Sequence, residues 1–244
     1  MSDADPDDAR AEELAANLAA VRARIEAACA AAGRPVQEVT LVVVTKTWPA
    51  DDVRRLAGLG VTDVGENRDQ DAGPKHAACA DLGLRWHFIG QLQTNKAGHV
   101  ARYADVVHSV DRPRLVDALS RGALAAGRQL RALVQVALDP HPGQPGTLGP
   151  RGGAHPDDVL ALADAVAAAP GLELGGVMAV APVGEDPVPA FARLAEVAAA
   201  VRARHPGATD VSAGMSGDLE AAVACGATHL RVGTAVLGSR PRLG

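Results

Sequence analysis

Lysine is scarce in this chain: of its 24 Lys and Arg residues only Lys46, Lys75 and Lys96 are lysine, leaving 21 arginines. Lys46 ends the apolar run Leu41-Val42-Val43-Val44-Thr45, where an ordinary cation would be arginine. A guanidinium keeps its proton in proteins, whereas a desolvated lysine amine can be neutral and attack a carbonyl carbon. Schiff-base chemistry is therefore the first reading of Lys46, and a lysine snorkelling out from a strand end is the plain alternative. Two other segments carry chemistry in their spacing. In Ser212-Ala213-Gly214-Met215-Ser216-Gly217-Asp218, Ser216 can cap a following helix or offer its hydroxyl to a phosphate at that helix's positive end. In Arg231-Val232-Gly233-Thr234, Gly233 lets backbone approach a ligand closely and Thr234 adds an N–H and a hydroxyl.

These segments are far apart in sequence, so the elements must bring them together. Short strand-like runs at 41–45, 62–65, 86–89, 105–109, 131–138, 172–179, 209–213 and 229–232 alternate with helical stretches at 50–57, 68–80, 95–102, 113–126, 156–168, 187–204 and 217–224. Phe191, Leu194, Ala198 and Val201 keep the spacing of a helix lying on a sheet. A further helix, with Leu14, Leu18, Val21 and Ile25 on one face, precedes the first strand and stops near Gly33-Arg34-Pro35. Strict alternation implies a parallel sheet with right-handed crossovers. Eight strands predict closure into a single (β/α)8 TIM barrel with an extra N-terminal helix, an open doubly wound sheet being the other arrangement. The expected organisation is a disordered acidic N-terminus over residues 1–8 and one domain over 9–244. The Pro/Gly-rich loop from Pro140 to Pro156, after the fifth strand, reads as a lid, an anion cradle or an unstructured insertion.

Composition removes several function classes. With 2% aromatic residues the chain has few platforms for stacking bases, and a net charge of −5 gives no global attraction to nucleic acid or anionic membranes. No apolar run approaches the ~20 residues of a membrane span, and the acidic N-terminus lacks the order of a secretory signal, so a soluble cytoplasmic protein is expected. Cys29, Cys79 and Cys225 have no C-x-x-C spacing and read as small buried hydrophobes.

In a closed eight-stranded barrel the first and last strands are neighbours, which puts Lys46 and Arg231 at one mouth beside the Ser216 and Gly233-Thr234 turns. The ends of strands seven and eight commonly form a phosphate site in such barrels. An amine for an aldehyde and a turn for a phosphate together describe pyridoxal 5'-phosphate. Arginine only donates hydrogen bonds, so Arg231 would favour an unprotonated pyridine nitrogen and a weak electron sink.

The blocks Val44-Thr45-Lys46-Thr47, Gly65-Glu66-Asn67, Trp86 to Lys96, His108-Ser109-Val110-Asp111-Arg112, Gly214-Met215-Ser216 and Arg231-Val232-Gly233-Thr234-Ala235 resemble, in order, those of the pyridoxal phosphate homeostasis protein family. The resemblance implies a barrel similar to the N-terminal domain of alanine racemases, with Lys46 as the aldimine lysine. It further implies a cofactor-binding set of Lys46, Val44, Asn67, Met215, Ser216, Arg231, Gly233 and Thr234, with Ser216, Gly233 and Thr234 at the phosphate and Arg231 near the pyridine nitrogen. The implied role is to hold and buffer the cofactor rather than to turn over a substrate; the leading expectation is a monomer that passes it to apo-enzymes. Ala213, Gly217 and Leu237 depart from the family pattern, which often has Met, an acid and an aromatic residue there.

Among the histidines, His76, His99, His141, His155 and His205 read as helix-surface or loop residues, with no metal-ligand spacing. His87 lies between Trp86 and Phe88 on a strand and so points opposite to them, into the barrel or toward the helices. Lys96 is a second place where cofactor could attach. The competing functions are an amino-acid racemase or decarboxylase of the alanine-racemase barrel type, and an aldolase using Lys46 on a sugar phosphate with Glu66 as the nearby acid. A two-base racemase needs an acid or base on the far ring face, and the chain has one tyrosine, Tyr103.

Overall fold

The structure, a computed structural model, describes residues 6–138 and 152–239. Eight parallel strands close a barrel in sequence order: β1 (Thr40–Val44), β2 (Asp63–Glu66), β3 (Arg85–Phe88), β4 (Val106–Val110), β5 (Leu130–Gln135), β6 (Leu172–Met178), β7 (Asp210–Ser212) and β8 (His229–Val232). Closure comes from β1 pairing with β8, in a register that sets Val42 against Arg231. The expected barrel is thus the observed one, and the open sheet is excluded.

Helices wrap the strands: α1 (Pro6–Ala31), α2 (Ala50–Gly58), α3 (Asp69–Ala78), α4 (Ala97–Val100), α5 (Pro113–Ala125), α6 (Val159–Ala168), α7 (Pro187–Arg204), α8 (Leu219–Ala224) and α9 (Thr234–Leu237). Helix α1 already begins at Pro6, inside the stretch expected to lack structure, while residues 1–5 lie outside the described residues. Most of the Pro/Gly loop, with His141, also lies outside them.

Leu14, Leu18, Val21 and Ile25 are buried, so the apolar stripe of α1 is covered as its spacing requires. The rest of that helix clamps the far side of the barrel mouth. Arg10 donates to Leu237 O at 3.1 Å, Asn17 to Val236 O at 3.1 Å and Arg24 to Ser216 O at 3.1 Å. The extra helix therefore fixes the two turns that follow β7 and β8.

Two apolar clusters build the core. The larger lies between strands and helices; the smaller consists of Val106, Leu133 and Met178 with Val180. Val106 and His108 share a strand face, and His108 bonds across the sheet to His87 and Ser212, so the small cluster is the barrel's apolar interior. The remaining interior is polar, with His87, His108, Ser212 and Arg231 all buried.

Candidate cofactor site

Lys46 sits just past the end of β1, on a backbone held from behind. The Thr45 hydroxyl donates to Glu66 Oε1 at 2.7 Å, and Lys75 Nζ donates to Thr45 O at 2.9 Å and to Glu66 Oε1 at 2.5 Å. Glu66 and Lys75 are both buried. Beyond Lys46 the chain turns sharply: Thr47 has φ +69°, and Trp48 N–H reaches back to Thr45 O at 3.1 Å. A β-branched residue in the left-handed region is strained, by about 1–3 kcal/mol, and persists where its surroundings fix it. Lys46 is thus presented on a braced, strained corner at the strand's C-terminal end.

The opposite wall comes from the turns after β7 and β8. Ser216 does not cap α8, which starts at Leu219; its Oγ instead accepts from Ala235 N–H at 3.3 Å and ties one turn to the other. Gly233 packs against β1 so closely that a Cβ there would stand 3.2 Å from Val44 O and 3.3 Å from Val44 Cβ. Arg231 is buried on β8, with Nη1 donating to Ser212 Oγ at 2.5 Å and Nη2 to Ala179 O at 2.8 Å. Desolvation lowers its pKa to about 10, partly offset by Asp218.

Between these walls is a cavity of about 240 Å³ lined by Val44, Lys46, Met215, Ser216, Arg231, Gly233 and Thr234, with Trp48, Ile89, Gly217 and Gly238 completing the rim. Seven of the eight residues nominated from the sequence meet there. Asn67 is the exception, since it lines an adjacent cleft of about 430 Å³ with Gln91, Lys96 and Arg112. Lys96 stands 4.0 Å from Asp69, half exposed, and is not brought to the cavity of Lys46. Tyr103 is buried, its hydroxyl donating to Asp69 at 3.3 Å, and lines neither space; burial pushes its phenol well up. Among the described residues no His, Cys, Asp and Glu cluster is arranged to hold a metal ion.

Residues 16–241 match the family described as alanine racemase, N-terminal domain. A Mycobacterium tuberculosis protein named pyridoxal phosphate homeostasis protein is 46% identical over 250 residues, which span 95% of this chain and 94% of its own length. The chain belongs to the pyridoxal phosphate homeostasis protein family. A solved structure similar to this chain is that of PipY of Synechococcus elongatus, with pyridoxal phosphate bound; it is 33% identical, superposes with a TM-score of 0.78, and the match covers 92% of this chain and all of PipY. Alanine racemase of Corynebacterium glutamicum, 16% identical with a TM-score of 0.65, shares the fold alone, the match covering 96% of this chain but 62% of the racemase.

Within this family member, the residues that sequence reasoning passed over are Lys75, Asp63, His108 and Ser212. The scarcity of lysine that singled out Lys46 applied equally to Lys75, but its place in a helix gave no sign that it faces β1. His87 does point into the barrel, where Nδ1 lies 2.8 Å from His108 Nε2 and Nε2 lies 2.8 Å from Asp63 Oδ1. Cys29 and Cys79 are buried as expected, whereas Cys225 is partly exposed.

Proposed function

We propose that this protein holds pyridoxal 5'-phosphate in the cavity of Lys46, in a Schiff-base linkage to Nζ formed with release of one water, and serves intracellular vitamin B6 homeostasis. The observation that carries this reading is the donor set converging on one cavity: a single amine, a buried guanidinium, and a hydroxyl beside a glycine turn. A phosphorylated aromatic aldehyde matches that set group for group. When bound there, the cofactor supplies an electrophilic aldehyde carbon and a conjugated ring.

The chain's own groups do the rest. Ser216, Gly233 and Thr234 would offer hydroxyl and backbone N–H donors to the phosphate, and Val44 and Met215 would supply apolar lining for the ring. Arg231 donates toward the pyridine nitrogen and never accepts from it, which leaves the ring a poor electron sink. Asn67 lines the adjacent cleft and would approach the cofactor from that side. The proposed setting is the cytoplasm and the proposed form a monomer that hands cofactor to apo-enzymes. Among the described residues no helix is long and apolar enough to cross a membrane, and the curated relatives are named for homeostasis rather than for a reaction.

The position of Tyr103 disfavours two-base racemisation, because the chain's one phenol lies outside the cavity. The test is borohydride reduction of the protein mixed with the cofactor, followed by mass spectrometry. The expected result is one adduct on Lys46, absent from Lys46→Ala. An adduct on Lys96, or rapid racemisation of an amino-acid panel, would overturn the reading.

A further inference from the structure

We propose that Asp63, His87, His108 and Ser212 form a one-way chain of hydrogen bonds through the barrel interior that fixes Arg231 as a donor facing the cavity. The links are short and continuous. Arg231 Nη1 lies 2.5 Å from Ser212 Oγ, Ser212 Oγ 2.9 Å from His108 Nδ1, His108 Nε2 2.8 Å from His87 Nδ1, and His87 Nε2 2.8 Å from Asp63 Oδ1. All five residues are buried.

The direction follows from the two ends. A guanidinium can only donate, and an ionised carboxylate can only accept. Asp63 stays ionised at neutral pH: burial pushes its carboxyl up, but hydrogen bonds from His87 and Thr62 outweigh that and leave it below the ordinary value. His87 must then carry its proton on Nε2 and present a bare Nδ1. His108 must fill that acceptor with Nε2–H and present its own bare Nδ1. The Ser212 hydroxyl, which accepts from Arg231, has one proton, and it goes to His108.

The rival arrangement puts an extra proton on His87, which would reverse both bonds of His108 and leave the Ser212 hydroxyl accepting twice, with no acceptor for its own proton among the described residues. Nor is His108 able to carry the extra proton in its place. His108 is pushed well below the ordinary histidine value by burial, with His87, Arg231 and His229 acting in the same direction. The His229 ring, 6.2 Å from that of His87 and 6.4 Å from that of His108, is held neutral by burial too.

Such a chain cannot relay a proton outward, because its upper end does not deprotonate. What it does is orient. One Nη is committed to Ser212 and the other to Ala179 O, so the planar fork is held from two sides and its other N–H bonds are directed by that hold. Polarisation along the chain brings part of the Asp63 charge to bear on a buried cation that has no carboxylate bonded to it among the described residues. His108, His87 and Asp63 are thereby positioning residues for Arg231. The inference rests on the proposed cofactor reading only for what Arg231 faces.

Ring-nitrogen NMR of the ligand-free protein at pH 7, assigned with single His→Asn variants, decides the chain itself. Both His87 and His108 are expected as neutral Nε2–H tautomers. An Nδ1–H in His108, or two protonated nitrogens in His87, would overturn it. Ser212→Ala, checked for folding by circular dichroism, is expected to weaken cofactor binding about tenfold (about 1.4 kcal/mol) and to shift the visible band of the bound cofactor, while Ser212→Thr keeps both. An unchanged band and affinity in Ser212→Ala would remove the chain's hold on Arg231. Should the native protein take up no cofactor, the proposed function fails, and the tautomers still decide the chain.

Discussion

The ammonium of Lys75, on α3, donates to the carbonyl oxygen of Thr45, the residue immediately before Lys46, at 2.9 Å. One scarce lysine thus braces the strand end that carries another. Its second bond, to Glu66, makes a buried ion pair whose carboxylate has no partner at Oε2. Replacing Lys75 by Met leaves that carboxylate buried against the Thr45 hydroxyl alone, a change that costs about 3–5 kcal/mol when one partner of a buried pair is lost. Urea unfolding should register that loss. The double variant Lys75→Met with Glu66→Leu should recover most of the stability, since a buried pair exchanged for apolar groups is close to neutral. It should not recover cofactor affinity, because Thr45 O then keeps only the Trp48 N–H of its own corner and loses its tie to α3.

Thr47 supplies a test of the opposite sign. At φ +69° its side chain is strained, and the residue is exposed, so little packing is lost on truncation. Thr47→Gly should relieve the strain, of about 1–3 kcal/mol, against a glycine entropy penalty of about 0.5–1 kcal/mol. The melting temperature should rise while cofactor affinity falls, as the corner presenting Lys46 loosens. Thr47→Ala keeps a Cβ and should gain nothing.

How much of this was legible depended on what a residue's neighbours in sequence can say. Helix α7 and strand β8 fall at the bounds their patterns indicate, because apolar periodicity is a local property. Strand β5 is shorter than the apolar run through Leu138 suggests: beyond Gln135, Val136 N–H still bonds to Met178 O, but Ala137 N–H turns to Ala154 O, outside the named strands. The expected helix over 95–102 is a 3-10 turn at 94–96 followed by the four residues of α4. The cavity walls were readable because strands one and eight must adjoin on closure. The brace of Lys75 and the polar interior were not: alternation sets His87 opposite Trp86 and Phe88, but which face is the lumen is decided only when the sheet closes. Asn67 shows the same limit, since a strand end two strands from β8 opens onto the next cleft.

Gly233 marks where the two walls of the cavity touch. An Ala Cβ would meet Val44 O at 3.2 Å and Val44 Cβ at 3.3 Å, so β1 and the start of α9 would have to part. Overpacking of this kind costs about 1–3 kcal/mol. Gly233→Ala should lower stability within that range and should lower cofactor affinity more than tenfold, because Val44 and Thr234 both line the cavity. Equilibrium dialysis of cofactor against the variant measures the second effect.

The buried imidazoles make stability depend on pH in a defined window. Burial lowers the His229 pKa to about 4, with His87 acting in the same direction and Asp210 and Asp63 opposing it; His108 is held well below its ordinary value. In the unfolded chain both return to about 6.5. Between pH 6.5 and 4 the unfolded state therefore binds more protons than the folded one, and stability must fall as pH falls. Each histidine contributes at most about 1.4 kcal/mol per pH unit in that window. The Asp63 carboxyl, lowered in the folded state, adds its own loss only below its unfolded value of about 3.9. Urea unfolding at pH 7, 6 and 5 should show a decline that begins near 6.5, and His229→Asn should remove up to about half of its slope. A flat profile from pH 7 to 5 would mean that both imidazoles take up protons inside the folded barrel, against the burial that surrounds them.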